Sequence, residues 1–148
     1  DRYIHIMKEF CTDPSQINLE ITETASIKTR KNMLKNMEKL IAYGVTFSLD
    51  DFGNGESNLN YIVDMPVQVV KFDYDMTQAY FQNSKAKSVM NAAKEMIHDI
   101  GLKIVSEGVE TKEQAEVLSS SIDFLQGYYF AKPLPENEFL AFIKKQQC

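Results

Sequence analysis

Cysteine is nearly absent from this chain: of its 148 residues only Cys11 and Cys148 carry a thiol. Two such distant cysteines give no disulfide framework and no thiolate metal site, and they suit a reducing cytosol. Histidine is just as sparse, and His5 and His98 are too isolated to suggest metal ligands. Clustered basic charge is missing too. Sixteen Lys and Arg stand against 21 Asp and Glu, for a formal net charge of -5 and a pI near 5.1. With no basic run to line a groove, duplex nucleic acid is not an expected partner. No apolar stretch reaches the roughly 18 to 20 residues of a membrane span. The opening DRYIHIMKEF lacks the basic and apolar regions of a signal peptide. These absences point to the cytoplasm, either as a free protein or as the cytoplasmic part of a larger, membrane-attached one, with no membrane contact from this segment.

What is present reads as one globular unit. Hydrophobic residues make up 44% of the chain and charged ones 25%, enough for a real core and too apolar for disorder. The chain starts on Asp1 and runs directly into an apolar-periodic segment, as a piece of a longer polypeptide would. Ile4, Met7 and Phe10 fall at helical spacing, and Asp13-Pro14 marks a turn after them. INLEIT, VTFSLD, VQVVKFD, LKIVSEG and IDFLQG read as five strands. Between and after them lie helical patterns: residues 28–43 ending at Gly44, a short one around Leu59 and Ile62, residues 84–100, TKEQAEVLSS with a threonine cap, and ENEFLAFIKKQ. The longest carries Val89, Ala93, Met96, Ile97 and Ile100 as its expected buried stripe, and Met33, Met37, Met90 and Met96 read as core packing. Alternation of strand and helix predicts an α/β fold with parallel strands. Five units fit either an open doubly wound sheet or part of an eight-stranded barrel, whose whole needs about 250 residues.

In both architectures function sits where strands end, and all five ends are polar. The first carries Glu20 with Glu23 beyond, the second Asp50 and Asp51, the third Lys71 and Asp73, the fourth Glu107 and Glu110, and the fifth Gln126. Carboxylates crowded on one rim repel, and a bound cation keeps them ionised. Oxygen donors without His or Cys suit Mg²⁺ or Mn²⁺ better than zinc. Two such ions are suited to activating water for in-line phosphoryl displacement, with Asp50 placed to bridge them. Taken singly, Asp51 reads more readily as a helix cap or Asx turn, Lys71 as an ion-pair partner and Gln126-Gly127 as an ordinary turn. It is their coincidence at matching strand ends that favours chemistry.

LEITET, DDFGNGESNL, VKFD, SEGVET and QGYYFAKPLP occur in the order and spacing of the EAL-domain phosphodiesterases of bacterial cyclic di-GMP signalling, and from about residue 15 to 140 the chain resembles that family. The resemblance implies a modified TIM barrel that hydrolyses cyclic di-GMP to the linear dinucleotide with Mg²⁺ or Mn²⁺. By position, Glu20 resembles a metal ligand, Asp50 the bridging ligand and Asp51 the ligand of the second ion. Lys71 corresponds to the residue that positions the water, Glu107 to one serving the metal or proton transfer, and Gln126 to one holding the water or the metal shell. Glu23 matches an anchor of the loop 52–58, which the family uses to couple dimer contact to metal binding. Glu110 falls in the outer surroundings of the metal, and Asp73 is grouped with it as a support or loop anchor. Gly53 and Gly55 let the chain turn sharply after two charged ligands.

The match departs from the family in two ways. Asn54, Glu56 and Asn58 replace the usual Thr, Tyr and Ser of the coupling loop, and Ser106 replaces an Ala. The Glu-Ala-Leu tripeptide and the asparagine ligand of the next strand are missing, so residues 1–148 are expected to form a single incomplete EAL domain: the C-terminal five βα units of eight. Open strand edges favour self-association, and a homodimer through the open side is expected, with impaired activity for this segment alone. Two other functions stay in view. One is a non-catalytic cyclic di-GMP-binding or regulatory module. The other is a phosphoacceptor receiver domain, which needs its acid pair on the first strand and its lysine on the last.

Overall fold

Among the described residues, five strands pair side by side in the order in which they occur, all parallel. The computed structural model describes residues 2–10, 13–22, 30–53 and 59–146. The strands are β1 (Asn18–Ile21), β2 (Thr46–Phe52), β3 (Val69–Phe72), β4 (Lys103–Ser106) and β5 (Phe124–Leu125). The helices are α1 (Arg2–Phe10), α2 (Arg30–Tyr43), α3 (Leu59–Asp64), α4 (Tyr74–Gln82), α5 (Ser84–Asp99), α6 (Lys112–Leu118) and α7 (Glu136–Gln146). A doubly wound sheet reverses its strand order at a switch point. This sheet does not, and its sequential order is that of a (β/α) barrel over five units.

The sheet has two unlike faces because strand side chains alternate. Leu19 pairs with Phe47, Leu49 with Val70 and Val70 with Ile104, and these residues join the buried core. That core extends to Met37, Met90, Ile97, Ala115 and Leu118 of the helices. The alternate positions are more polar. Asn18 pairs with Thr46, Glu20 with Ser48 and Lys71 with Val105. Hydrogen bonds stitch this face from Ser48 Oγ to Asn18 Oδ1 at 2.6 Å and from Asn18 Nδ2 to Thr46 Oγ1 at 3.0 Å.

Several elements differ from the sequence reading. The stripe of α5 is centred on Met90, Ala93 and Ile97, while Val89 and Ile100, at its margins, are exposed. In α1 only Met7 is buried, and Phe10 faces solvent. The helix α4 is absent from the sequence reading; its one fully buried side chain is Thr77, and Met76 and Tyr80 pack against the core only partly buried. Its start is nonetheless marked: the Asp73 carboxylate caps it, accepting from Met76 N at 2.8 Å. Asn83 ends α4 and caps α5 in turn, accepting from Lys85 N at 2.8 Å. The threonine cap at Thr111 is present as a reciprocal capping box with Gln114.

Candidate active site

The two adjacent aspartates occupy a β-bulge. Leu49 pairs with Val70 and Phe52 with Phe72, so Asp50 and Asp51 together face the single residue Lys71. Strict alternation would put Asp51 on the core face with Phe47 and Leu49, and turn Phe52 away from it. The extra residue cancels both faults. Phe52 returns to the core, stacked on Phe72 with ring centroids 5.8 Å apart, and the exposed Asp51 takes φ +57°. Aspartate tolerates that region better than most side chains do. Gly53 follows at φ +102°, and a Cβ there would stand 2.8 Å from Met76 Sδ. The run TFSLDDF carries this shift openly, since its apolar positions change phase between Leu49 and Phe52.

Lys71 lies between Val70 and Phe72 on β3, so its side chain leaves by the polar face, where it is buried. Its ammonium stands 2.7 Å from Glu20 Oε1, 3.0 Å from Asp50 Oδ1 and 2.6 Å from Glu107 Oε1. Three strands thus deliver one carboxylate each to one point, and β3 delivers the cation. Burial alone would lower the Lys71 pKa. Hydrogen bonds to Glu107, Glu20 and Asp50 outweigh it and hold the ammonium above the ordinary lysine range. Asp73, one residue beyond β3, is pushed up chiefly by burial, with further contributions from Asp75 and Asp51.

Glu110 and Gln126 make backbone bonds of their own beside this ion-pair cluster. Glu110 is exposed, and its backbone N–H donates to Gln114 Oε1 at 2.7 Å. Gln126 follows β5, with its N–H on Ser106 O at 2.9 Å and its carbonyl accepting from Val109 N at 3.0 Å. Those bonds lace the SEGVET and QGYYF segments together so closely that a Cβ on Gly127 would overlap the Val109 backbone. Glu23 and Gly55 lie outside the described residues. His98 is tied to Asp123, Nε2 to Oδ2 at 2.9 Å, away from this rim. Ser106 is fully buried and its hydroxyl meets Thr77 Oγ1 at 2.8 Å, so the added polar group has a partner.

Three carboxylates against one ammonium leave a surplus of two negative charges at the cluster. Among the described residues, no three His, Cys, Asp or Glu side chains stand close enough together to hold a metal ion by themselves. The ammonium occupies their meeting point. The fit to a hard divalent cation is therefore one of surplus charge and of donor type, oxygen throughout.

Comparison with known proteins places these features in context. A family model described as EAL domain matches residues 1–133. The chain is 32% identical over 136 residues to the cyclic di-GMP phosphodiesterase RocR of Pseudomonas aeruginosa, covering 91% of this chain and 35% of that protein. It therefore spans about a third of that relative's length. Among solved structures, the PaMucR phosphodiesterase in complex with c-di-GMP matches with a TM-score of 0.81 and 31% identity, over 92% of this chain and 56% of that one. The Klebsiella pneumoniae BlrP1 manganese and cy-diGMP complex matches with a TM-score of 0.78 and 26% identity, over 89% of this chain and 35% of that one.

Proposed function

The chain belongs to the EAL-domain family, and from that membership we propose that the domain it contributes to hydrolyses cyclic di-GMP to the linear dinucleotide in bacterial second-messenger signalling. The observation that carries this reading is the convergence of Glu20, Asp50 and Glu107 on Lys71, with its surplus negative charge. Glu20, Asp50, Asp51 and Glu107 would hold Mg²⁺ or Mn²⁺. Such an ion, when bound, supplies an activated water and neutralises phosphoryl oxygens. Lys71, fixed by three acceptors and kept charged, orients the attacking water and faces the developing negative charge. Glu107 holds Lys71 and stands ready to take or return a proton. Gln126, on the neighbouring strand end, holds the water or the metal surroundings, with Glu23, Asp73, Glu110 and the Gly53–Gly55 turn as supports.

Residues 1–148 act in this reading as the C-terminal five βα units of the barrel, working in the cytoplasm. With the ammonium at the meeting point of its acids, the segment alone holds the cation weakly and turns over slowly. Its open β1 edge carries a groove of about 600 Å³ lined by Leu19, Ile21, Met33, Met37, Leu40 and Phe47, among others, which favours a homodimer. Sedimentation of the purified chain checks this: a concentration-independent monomer contradicts it.

The function is tested by incubating the chain with cyclic di-GMP and Mn²⁺. Slow product formation that needs Mn²⁺ and disappears in Asp50→Asn supports hydrolysis. Binding by calorimetry with no product supports a non-catalytic cyclic di-GMP module instead. Neither binding nor product from a polypeptide that also carries the three preceding βα units contradicts both.

A further inference from the structure

The turn that carries Glu107 is held by two glutamines on different helices. Gln78 of α4 donates from Nε2 to Gly108 O at 2.7 Å, and Gln114 of α6 donates from Nε2 to Gln78 Oε1 at 3.1 Å. Gln114 Oε1 accepts the N–H groups of Glu110 at 2.7 Å and Thr111 at 3.2 Å. The chain of donors and acceptors has one workable direction. Flipping either amide sets two NH₂ groups, or two carbonyl oxygens, against each other.

An ordinary capping box accounts for only part of this. It needs the reciprocal pair between Thr111 and Gln114, and nothing more. The bonds to Glu110, to Gln78 and on to Gly108 lie beyond it, and the last of them holds the carbonyl of Gly108, the residue that immediately follows Glu107. Gln114 is buried, so its amide is costly to leave without partners, and Gln78 supplies one. Thr77, the neighbour of Gln78, meets buried Ser106 at the end of β4. The helix α4 therefore grips both residues that flank Glu107.

We propose, resting on the phosphodiesterase reading above, that Gln78 and Gln114 are positioning residues whose relay of hydrogen bonds fixes the 107–111 turn and so keeps the Glu107 carboxylate at Lys71. Neither touches the ion-pair cluster; both act through the backbone of the turn.

Two readouts on the same chain test this: amide hydrogen exchange at Glu110 and Thr111, and Mn²⁺ affinity by calorimetry, in Gln78→Met, Gln114→Met and Gln114→Glu. Gln114→Met is expected to speed exchange at Glu110 and Thr111 at least tenfold while Ile104, whose N–H is held by Asp123, keeps its rate. Gln114→Glu keeps an acceptor for both amides but loses the donor to Gln78. It should retain most of that protection yet weaken Mn²⁺ as Gln78→Met does, by about tenfold. Unchanged Mn²⁺ affinity in Gln78→Met, or exchange that rises equally at Ile104, overturns the proposal. If the unsubstituted chain takes up no Mn²⁺, the metal-site assignment fails for this segment, while the exchange pattern still decides whether the glutamines hold the turn.

Discussion

Lys71 and Glu107 meet across the β3–β4 pair, Nζ to Oε1 at 2.6 Å, with the lysine buried and the glutamate partly wet. Removing the ammonium leaves Glu20, Asp50 and Glu107 facing one another. Lys71→Met should destabilise by on the order of 2 kcal/mol, less than the roughly 3 to 5 expected when a fully buried pair is broken, because solvent screens the three acids. Urea unfolding at pH 7 measures it, and added Mn²⁺ should restore part of the loss.

The same contacts set a pH dependence. The folded Lys71 pKa lies above its ordinary value of 10.5, so the stability it contributes is fully present below pH 10.5 and is lost as pH rises through the folded value. On the alkaline side, unfolding free energies compared between the unsubstituted chain and Lys71→Met should therefore converge only above pH 10.5.

Asp73 carries the opposite burden for an acid. Its folded pKa is raised chiefly by burial, so the penalty is absent below pH 3.8 and complete once pH exceeds the raised value. Asp73→Asn keeps a cap acceptor for Met76 N and removes the charge. At pH 7 it should equal or exceed the parent in stability, whereas Asp73→Ala should lose about 1 kcal/mol with the cap.

Gly127 tests how the two loop segments are joined. A methyl there meets backbone of Val109, which has no rotamer by which to yield. Gly127→Ala should destabilise by about 1 to 3 kcal/mol, as overpacking does. Thermal unfolding checks this, and a change within error contradicts the close approach.

The five strands and their polar ends were legible in the sequence because both follow from pattern: apolar runs bounded by turns, each closing on Glu, Asp, Lys or Gln. Pattern left the order of the sheet open between a doubly wound sheet and a barrel. What was not legible depends on partners far away in the chain. Nothing near Lys71 says that Glu20, 51 residues earlier, and Glu107 will share its ammonium; that follows from the register of four strands. The helix α4 escaped because its apolar contribution is slight, Met76 and Tyr80 being only partly buried, and hydrophobic periodicity is blind to its buried hydroxyl pair, Thr77 with Ser106. The β2 bulge was written in TFSLDDF as a change of phase, yet it reads as irregularity until Phe52 is seen stacked on Phe72.

Mn²⁺ titration followed by paramagnetic broadening of assigned NMR signals tests the central claim most directly. The account predicts that Glu20, Asp50, Asp51 and Glu107 broaden first, and that Asp50→Asn needs at least tenfold more Mn²⁺ for the same effect. Broadening centred on another part of the surface, or unchanged by Asp50→Asn, would contradict it.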